Sequence, residues 1–180
     1  MYIETERIII RDFNPDDADD LYDILGDAET MKYCEPVYSF EKTQRFLTEF
    51  CIEKKGAFAA AQKDSKKIIG YILFKPLDEA VYEIGWFFNR NYWRQGYAYE
   101  GCSAVIAYAF SDLNAHKVVA ETIDNQKSTR LMEKLGMTLE GVQRSHVKDN
   151  LGYWADLYLY GILQACKKVE TYPNNVDNIK

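Results

Sequence analysis

Glu83-Ile84-Gly85-Trp86-Phe87-Phe88-Asn89-Arg90-Asn91-Tyr92-Trp93-Arg94-Gln95-Gly96-Tyr97-Ala98-Tyr99-Glu100 reads as a strand, a turn and the first turn of a helix. Such a junction is a ready anion site. A helix N-terminus presents backbone N–H groups with no intrahelical partner together with the positive end of the helix dipole. Gly96 lets backbone approach a ligand closely, Ala98 leaves room beside it, and Arg94 and Gln95 add side-chain donors. A glycine at a strand-to-helix turn can also serve the turn alone, so the surrounding pattern has to decide.

Upstream, Ala57 to Gln62, Lys67 to Lys75 and Val81 to Phe88 are strand-like runs. Asp64-Ser65-Lys66 and Pro76-Leu77-Asp78 separate them as tight turns, which predicts an antiparallel meander. Before the meander, Arg7-Ile8-Ile9-Ile10-Arg11 is a β-branched strand, and Asn14-Pro15-Asp16-Asp17 supplies an N-cap, a proline at the first helical position and first-turn acids. Ala18, Leu21, Tyr22 and Leu25 form the apolar stripe of the helix that follows, with Gly26 at its stop. A second helix is predicted from about Phe40 to Lys55, capped by Ser39 and closed by Gly56.

Downstream, Ala98, Cys102, Val105, Ile106 and Ala109 share one helical face until Asp112 and Asn114 break the pattern. Lys117 to Ile123 is the next strand. Asn125 caps a helix carrying Leu131, Met132 and Leu135, which stops at Gly136. Thr138 to Lys148 and Tyr153 to Leu163 flank Asp149-Asn150-Leu151-Gly152 as a hairpin. The order β-α-α-β-β-β-α-β-α-β-β predicts an α/β (α+β) fold: a central mixed, mostly antiparallel sheet of about six to seven strands with about four helices around it. With 180 residues, one domain is expected over residues 1–163, with 164–180 a polar C-terminal tail.

Composition narrows the function classes. A net charge of -6 argues against direct nucleic-acid binding, which needs a basic face, and mildly favours cationic substrates. Cys34, Cys51, Cys102 and Cys166 lack metal-ligand spacing, and His116 and His146 are the only histidines, so no metal site is expected. Glu4 and Glu6 near the start, and no apolar run of spanning length, predict a cytoplasmic protein without a membrane segment. No G-x-G-x-x-G follows the first strand, which disfavours a dinucleotide enzyme.

The strand–loop–helix segment resembles the GNAT N-acetyltransferases, whose Q/R-x-x-G-x-G/A loop cradles the pyrophosphate of coenzyme A. Thr5-Glu6-Arg7-Ile8-Ile9-Ile10-Arg11, the Glu83-Ile84-Gly85 strand, Tyr92-Trp93-x-x-Gly96-Tyr97-Ala98 and Asp156-x-Tyr158-x-Tyr160-Gly161-Ile162-Leu163 are similar, in order and spacing, to the RimJ/RimL-type branch over residues 3–163. Asn125-x-x-Ser128 followed by a helix and Gly136-Met137 resembles the second GNAT signature, although Asn125 could equally be a plain N-cap. The resemblance implies acetyl-CoA as co-substrate, held by backbone at Trp86, Phe87 and Phe88, by Arg94, Gln95, Gly96, Tyr97, Ala98 and Tyr99, and along the pantetheine arm by Asn125 and Ser128.

Two departures qualify it. Trp93 stands where the loop has Gln or Arg, and Arg94 where glycine is common. Met132 occupies the position of a tyrosine general acid, and a thioether cannot donate a proton, so Ser128 is the candidate beside the leaving thiol.

An ammonium has no lone pair, so an amine acceptor calls for a nearby carboxylate base. Glu83 is the candidate, with Glu121, Asp156 and Glu35 as fallbacks. Tyr33, Tyr38, Tyr92, Trp93, Tyr153 and Trp154 are candidate walls for the acceptor pocket. The expected reaction is acetyl transfer to a primary amine, either a protein N-terminal α-amine of ribosomal-protein type or a small amine. A non-catalytic acyl-CoA-binding or interaction domain on the same fold is the alternative. Oligomeric state is left open: family grounds alone favour a homodimer, and the aromatic strand of the terminal hairpin could form its contact or equally be covered by a helix.

Overall fold

A computed structural model describes residues 1–164. The expected tail lies outside the described residues but for Gln164. Eight strands form one sheet in the order β1-β2-β3-β4-β5-β6-β8-β7. They are β1 (Tyr2–Glu4), β2 (Ile8–Arg11), β3 (Ala57–Gln62), β4 (Ile68–Asp78), β5 (Val81–Phe88), β6 (Lys117–Thr122), β7 (Thr138–Lys148) and β8 (Trp154–Leu163). The extra strand relative to the sequence reading is β1, which pairs antiparallel with β2. At three residues it is too short to show an alternation of its own.

The helices are α1 (Ala18–Leu25), α2 (Phe40–Arg45), α3 (Tyr97–Ser111) and α4 (Lys127–Lys134). Asn14 caps the turn before α1 through its side chain, with Pro15 first in that turn. The second predicted helix differs from expectation: after Arg45 it widens into a π-helix over Phe46–Glu53. Leu47 and Cys51 still reach the core, and Phe46 and Phe50 stack at 5.0 Å. The turn after β4 also moves. Pro76 stays in the strand beside a register shift, and the reversal falls at Ala80, whose φ is 55.

Two apolar layers sandwich the sheet. Ile8, Ile10, Ile72, Ile84 and Val118 pack against Cys102, Val105 and Ala109 of α3 and Met132 of α4. On the other face Ala57, Ala59 and Ala61 meet Leu21 and Ile24 of α1 and Leu47 of the π-helix. β3 is buried on both faces, which is why its sequence runs apolar without alternation.

Every neighbouring pair is antiparallel except β5 and β6, which run parallel and pair only at Val81↔Lys117, Tyr82↔Val118 and Glu83↔Val119. Beyond Glu83 the two strands part. β5 continues to Phe88 on β4, and β6 continues to Thr122 on β8. The outer strand β7 is interrupted by register shifts, with Ser145 at a φ of 46 and its N–H donated to the Asp156 carboxylate at 2.8 Å.

Candidate active site

The parting of β5 and β6 leaves a V-shaped gap between Ile84–Phe88 and Ala120–Thr122. Each strand runs from the gap into a loop and then a helix, α3 after β5 and α4 after β6. Open sheets bind ligands at the C-terminal ends of parallel strands, because there loops and helix N-termini converge without blocking each other. Alternation along β5 turns Ile84, Trp86 and Phe88 toward the α3 layer and Glu83 and Phe87 toward the other face, where Phe87 stacks on Tyr71 at 4.8 Å. Trp86, Phe87 and Phe88 therefore pack with their side chains, and what this stretch offers the gap is the alternate backbone groups that do not pair with β4.

The loop from Asn89 to Gly96 is built from its own side chains. Buried Asn89 accepts a hydrogen bond from Asn91 N–H at 3.0 Å, which folds a short 3-10 turn over Arg90–Tyr92. The Trp93 indole N–H donates to the Phe88 carbonyl at 2.6 Å. Trp93, where the family loop has Gln or Arg, is thus a packing residue. Arg94 and Gly96 both lie in the left-handed region, with φ of 59 and 86. Gly96 is the N-cap of α3 and has no side chain to close the helix end. Glu100 N–H makes the first bond, to the Gly96 carbonyl at 2.9 Å. The N–H groups of Tyr97, Ala98 and Tyr99 precede it and face the loop opening. Arg94, Gln95 and Tyr99 are exposed, Ala98 is half-buried and Tyr97 is buried. One Gln95 amide hydrogen is donated back to the Asn91 carbonyl at 3.0 Å, so this side chain shapes the loop as well as lining it.

At the start of α4 the structure corrects the sequence reading. Asn125 is exposed and does not cap the helix; the capping group is the carboxylate of buried Asp124. It accepts from Gln126 N–H at 3.0 Å, Lys127 N–H at 3.1 Å and Ser128 N–H at 3.2 Å. The Ser128 hydroxyl, half-buried, lies 3.4 Å from the same carboxylate. A charged oxygen pair satisfies three backbone donors where an Asn125 amide oxygen would satisfy fewer. Met132 is 1% exposed within the core, so no side chain from that position faces the gap. Gly136 ends the helix at a φ of 84, as its position suggested.

Glu83 sits where pairing between β5 and β6 ends, 21% exposed and ion-paired with Lys75 at 2.9 Å. It lines a cleft of about 250 Å³ with Leu77, Val119, Glu121, Glu140 and Leu159. Of the fallback carboxylates, Glu121 shares this cleft. Asp156 is engaged with the backbone of β7, and Glu35 accepts from Tyr38 at 2.9 Å and Lys42 at 3.1 Å. The six aromatic residues do not form one wall. Tyr38 is buried with the α1 layer, Tyr92 and Trp93 pack under the loop, Tyr153 and Trp154 stand exposed on the terminal hairpin, and Tyr33 is exposed after α1.

Contacts that the sequence did not suggest tie these parts together. Arg90 pairs with Asp27 at 3.3 Å, and Lys127 pairs with Glu29 at 3.3 Å while lying 4.6 Å over the Trp93 ring. The segment after α1 is thereby pinned to both loops of the gap. Arg7, from the turn between β1 and β2, reaches Glu100 of α3 at 2.7 Å and the Gln95 carbonyl at 2.9 Å. Burial pushes the Glu100 carboxyl up, and hydrogen bonds from Thr5 and Arg7 outweigh that and hold it below its ordinary value. Glu100 lies more than ninety residues from Thr5 and Arg7, and no local spacing announces the contact.

Residues 7–138 match the family model described as acetyltransferase (GNAT) domain. An uncharacterized N-acetyltransferase YnaD of Bacillus subtilis (strain 168) is 35% identical over 167 residues, covering 91% of this chain and 98% of that protein. The crystal structure of an acetyltransferase (GNAT family) from Bacillus anthracis superposes with a TM-score of 0.84 at 32% identity, covering 91% of this chain and 98% of that one. A spermidine N-acetyltransferase from Vibrio cholerae, solved in complex with CoA and spermine, shares the fold with a TM-score of 0.76 at 21% identity, over 87% of this chain and 95% of that one. No helix among the described residues is long and apolar enough to cross a membrane.

Proposed function

Because this chain belongs to the GNAT acetyltransferase family, we propose that it moves the acetyl group of acetyl-CoA to a primary amine, a small amine or a protein N-terminus as in the RimJ/RimL-type enzymes it resembles, and that it does so in the cytoplasm. One observation carries the reading: the unpaired edge of β5 opens beside the uncapped N-terminus of α3. That combination suits an extended ligand with a diphosphate at one end and a thioester at the other. The N–H groups of Tyr97, Ala98 and Tyr99, with Arg94, Gln95 and Gly96, offer the diphosphate backbone donors and positive charge. The backbone of Trp86–Phe88 lies along the arm, and its N–H groups suit an oxygen that gains charge as the amine attacks. When bound, acetyl-CoA supplies an activated acyl group with an acidic thiol as leaving group.

Glu83, at the foot of the gap, takes the proton of the incoming ammonium, directly or through a water, so that the amine has a lone pair to offer. Ser128 and Asn125, at the start of α4, flank the thiol side. The Ser128 hydroxyl lies 3.4 Å from the Asp124 carboxylate, and turned toward the thiol side it donates its hydrogen bond to the departing thiolate.

Calorimetric titration with acetyl-CoA tests the donor half, with Gly96→Trp as the control that fills the loop. Micromolar binding by the wild type, lost in a variant that still melts cooperatively, is the expected result. A screen of primary amines for acetyl-CoA-dependent thiol release then identifies the acceptor. Glu83→Gln is expected to lower kcat by about 10²–10⁴-fold, the usual contribution of a general base. A folded wild type that does not bind acetyl-CoA would falsify the reading.

A further inference from the structure

Arg7 belongs to the first turn of the chain, yet its guanidinium lies at the start of α3. Nε donates to Glu100 Oε2 at 2.7 Å, Nη2 is ion-paired with the same oxygen at 2.7 Å, Nη1 donates to the Gln95 carbonyl at 2.9 Å, and the guanidinium carbon stands 4.3 Å over the Tyr97 ring. Glu100 is held from two further directions, by Thr5 Oγ1 at 2.6 Å and by the Arg7 N–H at 2.7 Å. The guanidinium is 40% exposed. Glu100 is 15% exposed, but with the guanidinium this open the pair adds only modestly to global stability. Its geometry needs another account.

Two features supply one. Gln95 stands between Arg94 and Gly96, the two left-handed residues, and its carbonyl is the acceptor that Arg7 captures. The Gln95 carbonyl and the Gly96 N–H belong to one planar trans peptide, so holding the carbonyl toward Arg7 holds the Gly96 N–H on the opposite side. The second feature is charge. Glu100 is an acid in the first turn of the helix whose N-terminus is the anion site. An uncompensated carboxylate there would more than cancel the roughly half positive charge of the helix end. Arg7 covers that carboxylate with a charge of opposite sign.

We propose that Arg7 is a positioning residue for donor recognition: it fixes the 94–96 loop with the Gly96 N–H outward and masks Glu100, so that the start of α3 attracts a diphosphate. The proposal rests on the acetyl-CoA reading above and concerns only how the diphosphate end is held.

The test compares wild type with Arg7→Met, Arg7→Lys, Glu100→Gln and the Arg7→Met/Glu100→Gln double variant. Acetyl-CoA binding is measured by calorimetry at low and high salt. KM and kcat are then measured with acetyl-CoA and with acetyl-pantetheine, which lacks the phosphates, at a saturating amine from the screen. Arg7→Met is expected to raise the Kd and KM for acetyl-CoA about tenfold or more, equivalent to about 1.4 kcal/mol. kcat and the KM for acetyl-pantetheine are expected to stay within about twofold of the wild type.

Arg7→Lys keeps the charge without the fork and is expected to recover part of the affinity, mainly at low salt. The double variant is expected to recover most of what masking supplied. Equal loss with both donors, or a fall in kcat alone, would show a merely structural role and overturn the proposal. A double variant no better than Arg7→Met would overturn the masking argument. Should Arg7→Met fail to fold, Glu100→Gln decides: acetyl-CoA affinity equal to or above wild type supports masking, and a tenfold loss overturns it. Failure of wild type to bind acetyl-CoA removes the donor reading itself, whereas binding that is indifferent to Arg7 removes only the brace.

Discussion

Arg94 shows how much a single dihedral angle can carry. Its φ of 59 places an L side chain in the left-handed region, where Cβ crowds the carbonyl at a cost of about 1–2 kcal/mol. Glycine would remove that strain but loses about 0.5–1 kcal/mol through its freer unfolded chain. Strain relief is the larger, so Arg94→Gly is expected to raise the stability by up to about 1 kcal/mol in urea denaturation while weakening acetyl-CoA binding through loss of a cation. A lower urea midpoint would mean that the arginine stem makes packing contacts that outweigh its strain. The sequence marked this position as a departure from the glycine common there, and the structure supplies the reason it matters. Arg7 could not be read the same way, since its partners Gln95 and Glu100 meet it only through the pairing of β2 into the sheet beneath α3.

Most elements were legible from periodicity: the meander, α1 with the Asn14-capped turn before it and its Gly26 stop, α3 from Tyr97, and the terminal hairpin all lie close to where apolar spacing put them. Misplacements occurred where a tertiary contact chose between two acceptable local answers. Asp124 and Asn125 are adjacent and equally suited by type to cap a helix, and only the burial of Asp124 makes it the cap. Asp124→Ala is accordingly expected to cost about 1–2 kcal/mol in thermal or urea unfolding, and Asn125→Ala less than about 0.5 kcal/mol. The reverse order would restore the cap to Asn125. The π-helix was invisible because Phe46–Glu53 has ordinary helical composition, and its apolar spacing suits an α-helix as well. At the candidate site, the helix N-terminus and Glu83 were readable from residue type, but the cleft that joins Glu83 to Glu121 depends on the register of β5 with β6.

As a whole, the molecule is two antiparallel blocks, β1–β5 and β6–β8, joined along the sheet by three register pairs at Val81–Glu83. Ligand seated in the gap would bridge the blocks where backbone does not. Amide hydrogen exchange is therefore expected to slow on adding acetyl-CoA at Ile84–Phe88 and Gln95–Tyr99, with the β3–β4 centre unchanged. Uniform slowing everywhere would instead indicate global stabilisation without local bridging. The far margin of the second block has a different consequence. β7 is an eleven-residue outer strand carrying exposed Leu139 and Val142, the sort of margin along which copies could zip into fibrils. The kink at Ser145, locked by Asp156, bends that margin out of plane, and exposed Arg144, His146 and Lys148 flank it with polar bulk. A flat template for recruiting further chains is thus interrupted midway, so the same irregularity that looks like imperfect pairing protects the protein's solubility at high concentration.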